Sequence, residues 1–242
     1  PTSSVSYEFT RKVYSLLVID TNQIISNFTT YDLLNPEHKE SLIQQLKDMN
    51  FDLVIGNPPY QQADGGAAAS AKPIYQEFVT IAKEVSTTYT SIIMPARWYT
   101  GGKGLDEFRA SMLTDKHIKL LYDYQRPDEV FPDTNNRGGL CFIVRDNNFD
   151  NTLTLPEVVS NRGNQKIVSQ VRSIETDDLE MFIRHQEAIS VLKKVTENIS
   201  FSSLSDAISA RRPFGIDGNI TKDIAVFKKQ QTPIFSIICY GR

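Results

Sequence analysis

The stretch Phe51–Tyr60, with the sequence FDLVIGNPPY, decides how the rest of the chain is interpreted. Its first half is a short apolar run that predicts a buried β-strand, and Gly56 ends that run. Asn57 follows at the carboxyl end of the predicted strand. Pro58 and Pro59 have a fixed φ, and a residue that precedes proline is pushed into extended geometry. We therefore expect a stiff turn that holds the Asn57 side chain in place.

This turn offers two hydrogen-bond acceptors, the Asn57 side-chain oxygen and the Pro58 carbonyl, beside the aromatic ring of Tyr60. A planar amino group suits the arrangement, because two acceptors take its two hydrogens while the ring stacks on its face. Accepting both hydrogens localises the lone pair of the nitrogen, so the stabilisation arises mainly in the transition state. The alternative interpretation is a proline-rich turn that only redirects the chain.

The composition predicts a soluble globular protein. Of its 242 residues, 40% are hydrophobic and 23% are charged. No apolar run approaches the roughly 18 residues of a membrane span. Cys141 and Cys239 are far apart without metal-ligand spacing, and the three histidines are scattered. We expect a cytoplasmic protein with reduced thiols, no metal and no membrane partner.

The charge distribution is a weak indication of a nucleic-acid partner. The net charge of −3 gives no such sign by itself. Residues 200–242 nevertheless carry six basic and three acidic side chains. A basic segment on an acidic body is compatible with phosphate contacts, and equally with chance.

Apolar runs alternate with helical periodicity along the first 150 residues. We predict strands over 24–30, 51–55, 89–94, 118–124 and 140–144, with helices over 11–19, 37–49, 73–86 and 105–113. The alternation predicts an α/β fold with a doubly wound, mainly parallel sheet whose ligands bind at the carboxyl ends of the strands. Further strands over 152–159 and 167–171 and a helix over 177–195 follow. We place a domain boundary between residues 198 and 199.

Two loops lie beside the predicted strand ends. Small residues dominate 64–71, a composition that predicts a mobile loop, which is either a substrate clamp or a plain connection. The second loop, over 97–104, follows the predicted strand 89–94. Asn57, Pro95 and the loop after Pro95 would share one edge of the sheet.

With these residues in place, the chain resembles the adenine-N(6) DNA methyltransferases of the γ arrangement. It is most similar to the methylase portion of type II restriction–modification enzymes that carry cleavage and methylation on one polypeptide. The resemblance covers residues 11–220, and NPPY at 57–60 is its most specific part. Supporting stretches are AKPIY at 71–75, MPARW at 94–98, GKGLDEFR at 102–109, VFP at 130–132, GGLCF at 138–142 and RPFG at 212–215.

The resemblance implies a Rossmann-like core over residues 1–198 that binds S-adenosylmethionine, and the start of a region over 199–242 that reads double-stranded DNA. By matching position, Asp32 would bind the adenine of the cofactor. Asn57 would contact the cofactor and, with Pro58, hold the target amine, while Tyr60 stacks on the base. The candidates for DNA contact are Pro59, Lys72, Arg97, Trp98, Lys103, Arg211 and Arg212.

One departure from the family pattern concerns the cofactor site. The family has a glycine-rich loop ahead of these motifs, but residues 1–31 contain no glycine. We expect a fragment that lacks the amino-terminal half of the cofactor site and most of the recognition region. Such a fragment would bind the cofactor weakly and methylate little, and the remaining parts of its parent enzyme would be its partners.

Two other functions fit some of the same residues. The acceptor geometry also suits methylation of a glutamine amide in a protein, because that amide is a planar NH2 group as well. The missing glycine-rich loop is instead compatible with a non-catalytic module that binds DNA or assembles with a subunit.

Overall fold

The computed structural model describes residues 3–24, 27–62, 72–102, 104–132, 136, 138–176 and 179–197. The chain divides into two compact units, residues 1–189 and 190–242. All six strands described below belong to the first unit. The predicted boundary between residues 198 and 199 lies outside the described residues and stays a prediction.

The regular elements alternate along the chain. The helices are α1 (Ser4–Leu16), α2 (Lys39–Asp48), α3 (Tyr75–Val85), α4 (Asp106–Leu113) and α5 (Gln186–Thr196). The strands are β1 (Leu53–Gly56), β2 (Tyr89–Pro95), β3 (Ile118–Tyr124), β4 (Leu140–Asp146), β5 (Glu157–Asn161) and β6 (Ile167–Val171). Short 3₁₀-helices cover Thr21–Gln23, Thr30–Leu34, Ala96–Tyr99 and Pro127–Glu129.

The strands form one mixed sheet in the order β1-β2-β4-β3-β5-β6. The predicted α/β class is confirmed, and β1, β2, β3 and β5 run in the same direction. The other two strands, β4 and β6, pair antiparallel with their neighbours. The five residues between β5 and β6 are too few for the crossover that a parallel pair needs, so those strands form a hairpin.

The shared direction of four strands places their carboxyl ends at one edge of the sheet, here called the carboxyl edge. Asn57 follows β1 there, Ala96 follows β2 and Gln125 follows β3. The prediction that Asn57 and the segment after Pro95 share an edge is therefore confirmed.

Helix α3 covers one face of the sheet with an apolar stripe. Tyr75, Phe78, Val79 and Ala82 recur at helical spacing and are buried. Tyr75 and Val79 join a core with β2, β3 and β4, whereas Phe78 joins a second cluster with α2 and Leu33. These clusters fix the position of the segment that leaves β1.

The first strand differs from its prediction in burial. It was expected to be buried, but Leu53 and Ile55 are 51% and 73% exposed. The reason is its position: within the described residues, β1 pairs with β2 alone and forms an edge of the sheet.

Three other predicted elements were wrong in extent or type. In place of a strand over 24–30, the described residues form 3₁₀-helices on either side, over Thr21–Gln23 and Thr30–Leu34. The strand expected over 152–159 begins at Glu157, because the Asp150 carboxylate binds the backbone and hydroxyl of Thr152 in a turn. The helix expected over 177–195 begins at Gln186, because residues ahead of it bind the core instead: the Phe182 backbone donates to the Tyr99 carbonyl, and the Ile183 carbonyl accepts from Arg172.

The amino-terminal helix α1 begins earlier than the predicted helix over 11–19. Ser3 caps it by accepting a hydrogen bond from the Ser6 backbone. Three of its apolar residues, Val5, Phe9 and Leu16, are exposed. No residue of this helix is buried.

Candidate active site

The segment Asn57–Tyr60 leaves β1 at the carboxyl edge, as predicted. Asn57 is exposed, whereas Pro58, Pro59 and Tyr60 are half-buried. The Tyr60 carbonyl accepts a hydrogen bond from the Ile74 backbone at 3.1 Å. The Gln62 backbone donates to the Lys72 carbonyl, also at 3.1 Å. These bonds tie the segment to the residues that precede α3, so its position is fixed at both ends.

The Tyr60 side chain is anchored in the protein interior. Its ring packs against the core cluster that contains Trp98, Tyr99 and Cys141. Its hydroxyl is buried without a hydrogen-bond partner among the described residues. Burial, with a smaller contribution from Cys141, raises the pKa of Tyr60 to about 12. The phenol therefore stays neutral, and the side chain packs on the core while part of its surface stays open.

A cleft of about 360 Å³ adjoins this segment. Gly56, Asn57, Pro58 and Pro59 form one side of it. Apolar side chains form most of the remainder, among them Leu33, Leu46, Phe51, Phe78, Ile81, Val85 and Ile92. An apolar cleft beside exposed polar groups suits a flat, partly polar ligand.

Asp32 lies next to this cleft but does not line it. It was predicted to follow a strand, but it belongs to the 3₁₀-helix Thr30–Leu34, whose Thr30 and Leu33 do line the cleft. Its Oδ2 atom accepts hydrogen bonds from the Thr29 backbone at 2.6 Å and from the Thr29 hydroxyl at 2.9 Å. Those backbone and side-chain hydrogen bonds lower the pKa of Asp32. The carboxylate thus caps this short helix.

The prediction that Trp98 faces DNA was wrong. Trp98 is 0% exposed, and its Nε1 atom donates to the Sγ atom of Cys141 at 3.4 Å. Its ring makes edge contacts with Tyr99 and Phe108. The 3₁₀-helix Ala96–Tyr99 turns Trp98 into the core and leaves Arg97 exposed.

The other predicted DNA contacts divide into two groups. Pro59 lines the cleft, while Lys72 and Arg97 are exposed. Lys103, Arg211 and Arg212 lie outside the described residues, as does the proposed clamp over 64–71. Their contacts with DNA stay predictions.

A buried ion pair beneath the carboxyl edge was not predicted. The Asp123 side chain is 1% exposed, and its Oδ1 atom lies 2.9 Å from Arg184 Nη2. Burial raises the pKa of Asp123 to about 6, although Arg184 acts in the opposite direction. A signal was present in the sequence: Asp123 shares the inward face of β3 with Leu121, where an apolar residue is expected.

Two other features are absent from the part of the chain that the structure describes. Across the described ranges, no group of three or more histidine, cysteine or acidic side chains could hold a metal ion. Nor does this part of the chain contain a helix with the length and apolarity to cross a membrane.

Comparison with known proteins identifies the class. A family model described as the Eco57I restriction-modification methylase matches residues 8–131, just over half of the chain. An uncharacterized adenine-specific methylase of Mycoplasma pneumoniae (strain ATCC 29342 / M129 / Subtype 1) is 27% identical over 165 residues. That match covers 67% of this chain and 38% of the relative, so the chain spans well under half of the relative's length.

Two solved structures are similar to this chain over part of their length. The methyltransferase subunit of a type I restriction-modification system from Streptococcus thermophilus is 16% identical, with a TM-score of 0.44. That match covers 81% of this chain and 40% of the subunit. The type IIG restriction endonuclease BpuSI is 13% identical, with a TM-score of 0.41 over 64% of this chain and 24% of its own.

The family match over residues 8–131 places the chain in the class of restriction-modification methylase families. The chain belongs to the Eco57I restriction-modification methylase family.

Proposed function

We propose that this chain is the catalytic core of a DNA adenine-N(6) methyltransferase that uses S-adenosylmethionine. One observation carries the proposal: an exposed Asn57 stands at the carboxyl edge between an apolar cleft and an anchored tyrosine ring. Membership of the methylase family and the adenine-specific methylase relative support it.

The acceptors of the site would act on the amino group of the target. A target adenine turned out of the duplex costs a few kcal/mol of stacking and pairing. The open part of the Tyr60 ring would stack on this base, while the Asn57 oxygen and the Pro58 carbonyl accept its two amino hydrogens. These hydrogen bonds strengthen as the nitrogen becomes pyramidal, so they favour the transition state over the ground state.

The methyl transfer itself needs no activated side chain. S-adenosylmethionine, when bound, supplies an electrophilic methyl group on sulfur. Asn57 and Pro58 would orient the amino nitrogen toward this methyl group, and the surplus proton of the methylated amine would pass to solvent. The task of the protein residues is to orient the amino group and to exclude competing water.

The residues around the cleft fit the adenine part of the cofactor. The walls formed by Leu33, Phe51 and Pro59 suit the faces of a flat ring. Asp32, beside the cleft, would accept a polar hydrogen of the cofactor with the lone pairs that Thr29 leaves unused. Replacing Asp32 by alanine should then weaken cofactor binding by about tenfold, a typical loss for a hydrogen bond to a charged group.

The exposed basic residues near the carboxyl edge would contact the DNA backbone. Arg97 and Lys72 are exposed and would make such contacts, and Pro59 would lie against the target nucleotide. Lys103, Arg211 and Arg212 are proposed as further phosphate contacts on the basis of charge.

The test is replacement of Asn57 by alanine in the complete protein. Because Asn57 contributes one of two acceptors, we expect methyl transfer to unmethylated genomic DNA to fall by about 100-fold or more. The matched control is Asn148→Ala, which removes an exposed asparagine at the opposite edge of the sheet. Retained turnover of Asn57→Ala would contradict the assignment. Methyl transfer to a glutamine-bearing protein, measured in place of transfer to DNA, tests the alternative function, methylation of a glutamine amide.

A further inference from the structure

The buried ion pair between Arg184 and Asp123 lies beside the 3₁₀-helix Ala96–Tyr99. Arg184 Nη2 is 2.9 Å from Asp123 Oδ1, and the same side chain donates a hydrogen bond to the Gly138 carbonyl. Its guanidinium carbon lies 5.0 Å from the centre of the Tyr99 ring. One arginine therefore joins β3, the turn before β4 and the 3₁₀-helix that follows β2.

The packing around this arginine is close. Gly139 has a φ of +91°, and a Cβ atom there would lie 2.8 Å from Arg184 Nη2 and 2.3 Å from the Tyr124 carbonyl. The Gly139 carbonyl accepts a hydrogen bond from the Ala96 backbone at 3.0 Å. Only glycine leaves room for the arginine at this turn.

Residues 179–185, here called the strap, hold the arginine in place. The Phe182 backbone donates to the Tyr99 carbonyl at 3.0 Å, and the rings of Phe182 and Tyr99 are 4.6 Å apart. Arg172 supports the strap by donating to the Ile183 carbonyl at 2.6 Å. Its guanidinium carbon also lies 4.9 Å from the centre of the Phe182 ring.

The contacts continue from Tyr99 to the site. The Trp98 and Tyr99 rings are 4.8 Å apart, and Trp98 donates to Cys141. The Tyr60 ring packs against the cluster that these three residues help to form. No hydrogen bond among the described residues holds the Tyr60 hydroxyl, so its orientation depends on this packing.

We propose that Arg184 and Asp123 are positioning residues that set the orientation of Tyr60 by holding the 3₁₀-helix Ala96–Tyr99 against the sheet. This inference rests on the proposed function, because it concerns the ring that would stack on the target base. The pair touches neither the base nor the cofactor and acts through Tyr99, Trp98 and Cys141.

The test compares two arginines in the same chain. Arg184→Met removes the pair with Asp123. The control Arg145→Met removes a partner of Asp115, whose carboxylate lies 3.1 Å from Arg145 near the opposite edge of the sheet. The side chains of Arg184 and Arg145 are 24% and 13% exposed, so both pairs are largely buried.

The orientation of Tyr60 is measured directly by ¹⁹F NMR after incorporation of 3-fluorotyrosine, with Tyr60→Phe identifying its resonance among the ten tyrosines. We expect the Tyr60 resonance to shift or broaden in Arg184→Met and to stay in place in Arg145→Met. Arg184→Lys, which keeps the charge without the planar fork, should give an intermediate spectrum. Where Arg184→Met does not fold, Asp123→Asn takes its place.

Either of two results would overturn the inference: an unchanged Tyr60 resonance in a folded Arg184→Met variant, or an equal shift in Arg145→Met. In the complete protein, kcat should fall by about tenfold in Arg184→Met, with KM for DNA within twofold, because the reacting geometry is disturbed. A wild-type protein without methyl transfer would count against the proposed function alone, since the NMR result needs no turnover.

Discussion

Trp98 and Cys141 are joined by a hydrogen bond in the protein interior, with Nε1 of the indole 3.4 Å from Sγ of the thiol. Both residues are 0% exposed. Burial raises the pKa of Cys141 to about 12, so the thiol stays protonated at neutral pH. The contact links the segment after β2 to β4 directly beneath the candidate active site.

Trp98 should therefore matter for stability rather than for direct contact with DNA. Trp98→Ala leaves a large cavity and should lower the free energy of unfolding by about 3–5 kcal/mol. Urea denaturation followed by circular dichroism measures this loss. The control is Trp98→Phe, which keeps an aromatic ring and should lower the free energy of unfolding by less than Trp98→Ala does. A normal stability with a selective loss of DNA affinity would contradict the buried position.

Arg97 should behave in the opposite way. It is exposed on the same 3₁₀-helix, so Arg97→Ala should leave the unfolding midpoint unchanged. If Arg97 contacts a phosphate, the slope of log K against log salt should decrease by about one. Fluorescence anisotropy of labelled duplex DNA over a salt series gives this slope. Lys119→Ala, which removes a positive charge near the amino end of β3, should leave the slope as it is.

Asp123 should make stability fall as the pH rises through the mildly acidic range. Its pKa is raised from an ordinary 3.8 to about 6, so the folded protein holds this proton more tightly than the unfolded chain. Stability from this group is then lost between about pH 4 and pH 6. Asp123→Asn carries no such proton and should lack this slope.

Thermal unfolding from pH 4 to pH 7 tests whether the stability that Asp123 contributes falls or rises with pH. The midpoint of the wild type should fall relative to Asp123→Asn as the pH rises. If the midpoint of the wild type instead rises relative to that of Asp123→Asn, then Arg184 outweighs burial and the pKa of Asp123 is lowered.

Asp115 should have the opposite effect to Asp123, because the stability that it contributes is lost as the pH falls. Burial acts to raise the pKa of its carboxyl, but Lys83 at 2.6 Å and Arg145 at 3.1 Å help to leave it lowered. Its stabilisation is present above the unfolded pKa and is lost as the pH falls below about 4. Because two cations would lose their buried partner, Asp115→Asn should cost about 3–5 kcal/mol at pH 7.

Chemical denaturation at pH 7 and at pH 3 provides the measurement. The difference between wild type and Asp115→Asn should shrink at the lower pH. The comparison variant Asp128→Asn breaks the exposed pair with Arg126 and should have no measurable effect. Equal behaviour of the two variants would contradict a stabilising role for the Asp115 cluster.

The alternation of apolar runs predicted the α/β class, because local periodicity reports the face that each helix or strand buries. It could not predict that β4 runs back between β2 and β3, since pairing is decided by contacts between residues distant in sequence. Trp98 shows the same limit: its neighbours indicated a polar loop, but Phe108, Cys141 and Phe182 create the cavity that the indole fills.

The sequence by itself determined the stiffness of the segment Asn57–Tyr60, because proline geometry is local and restricts the chain whatever surrounds it. Tertiary structure alone decided which side chains reach that segment. The contact between Arg184 and Asp123 spans 61 positions of sequence, and the strap contacts Tyr99 across a separation of more than 80 residues. Such contacts depend on burial and shape, which no short stretch of sequence records.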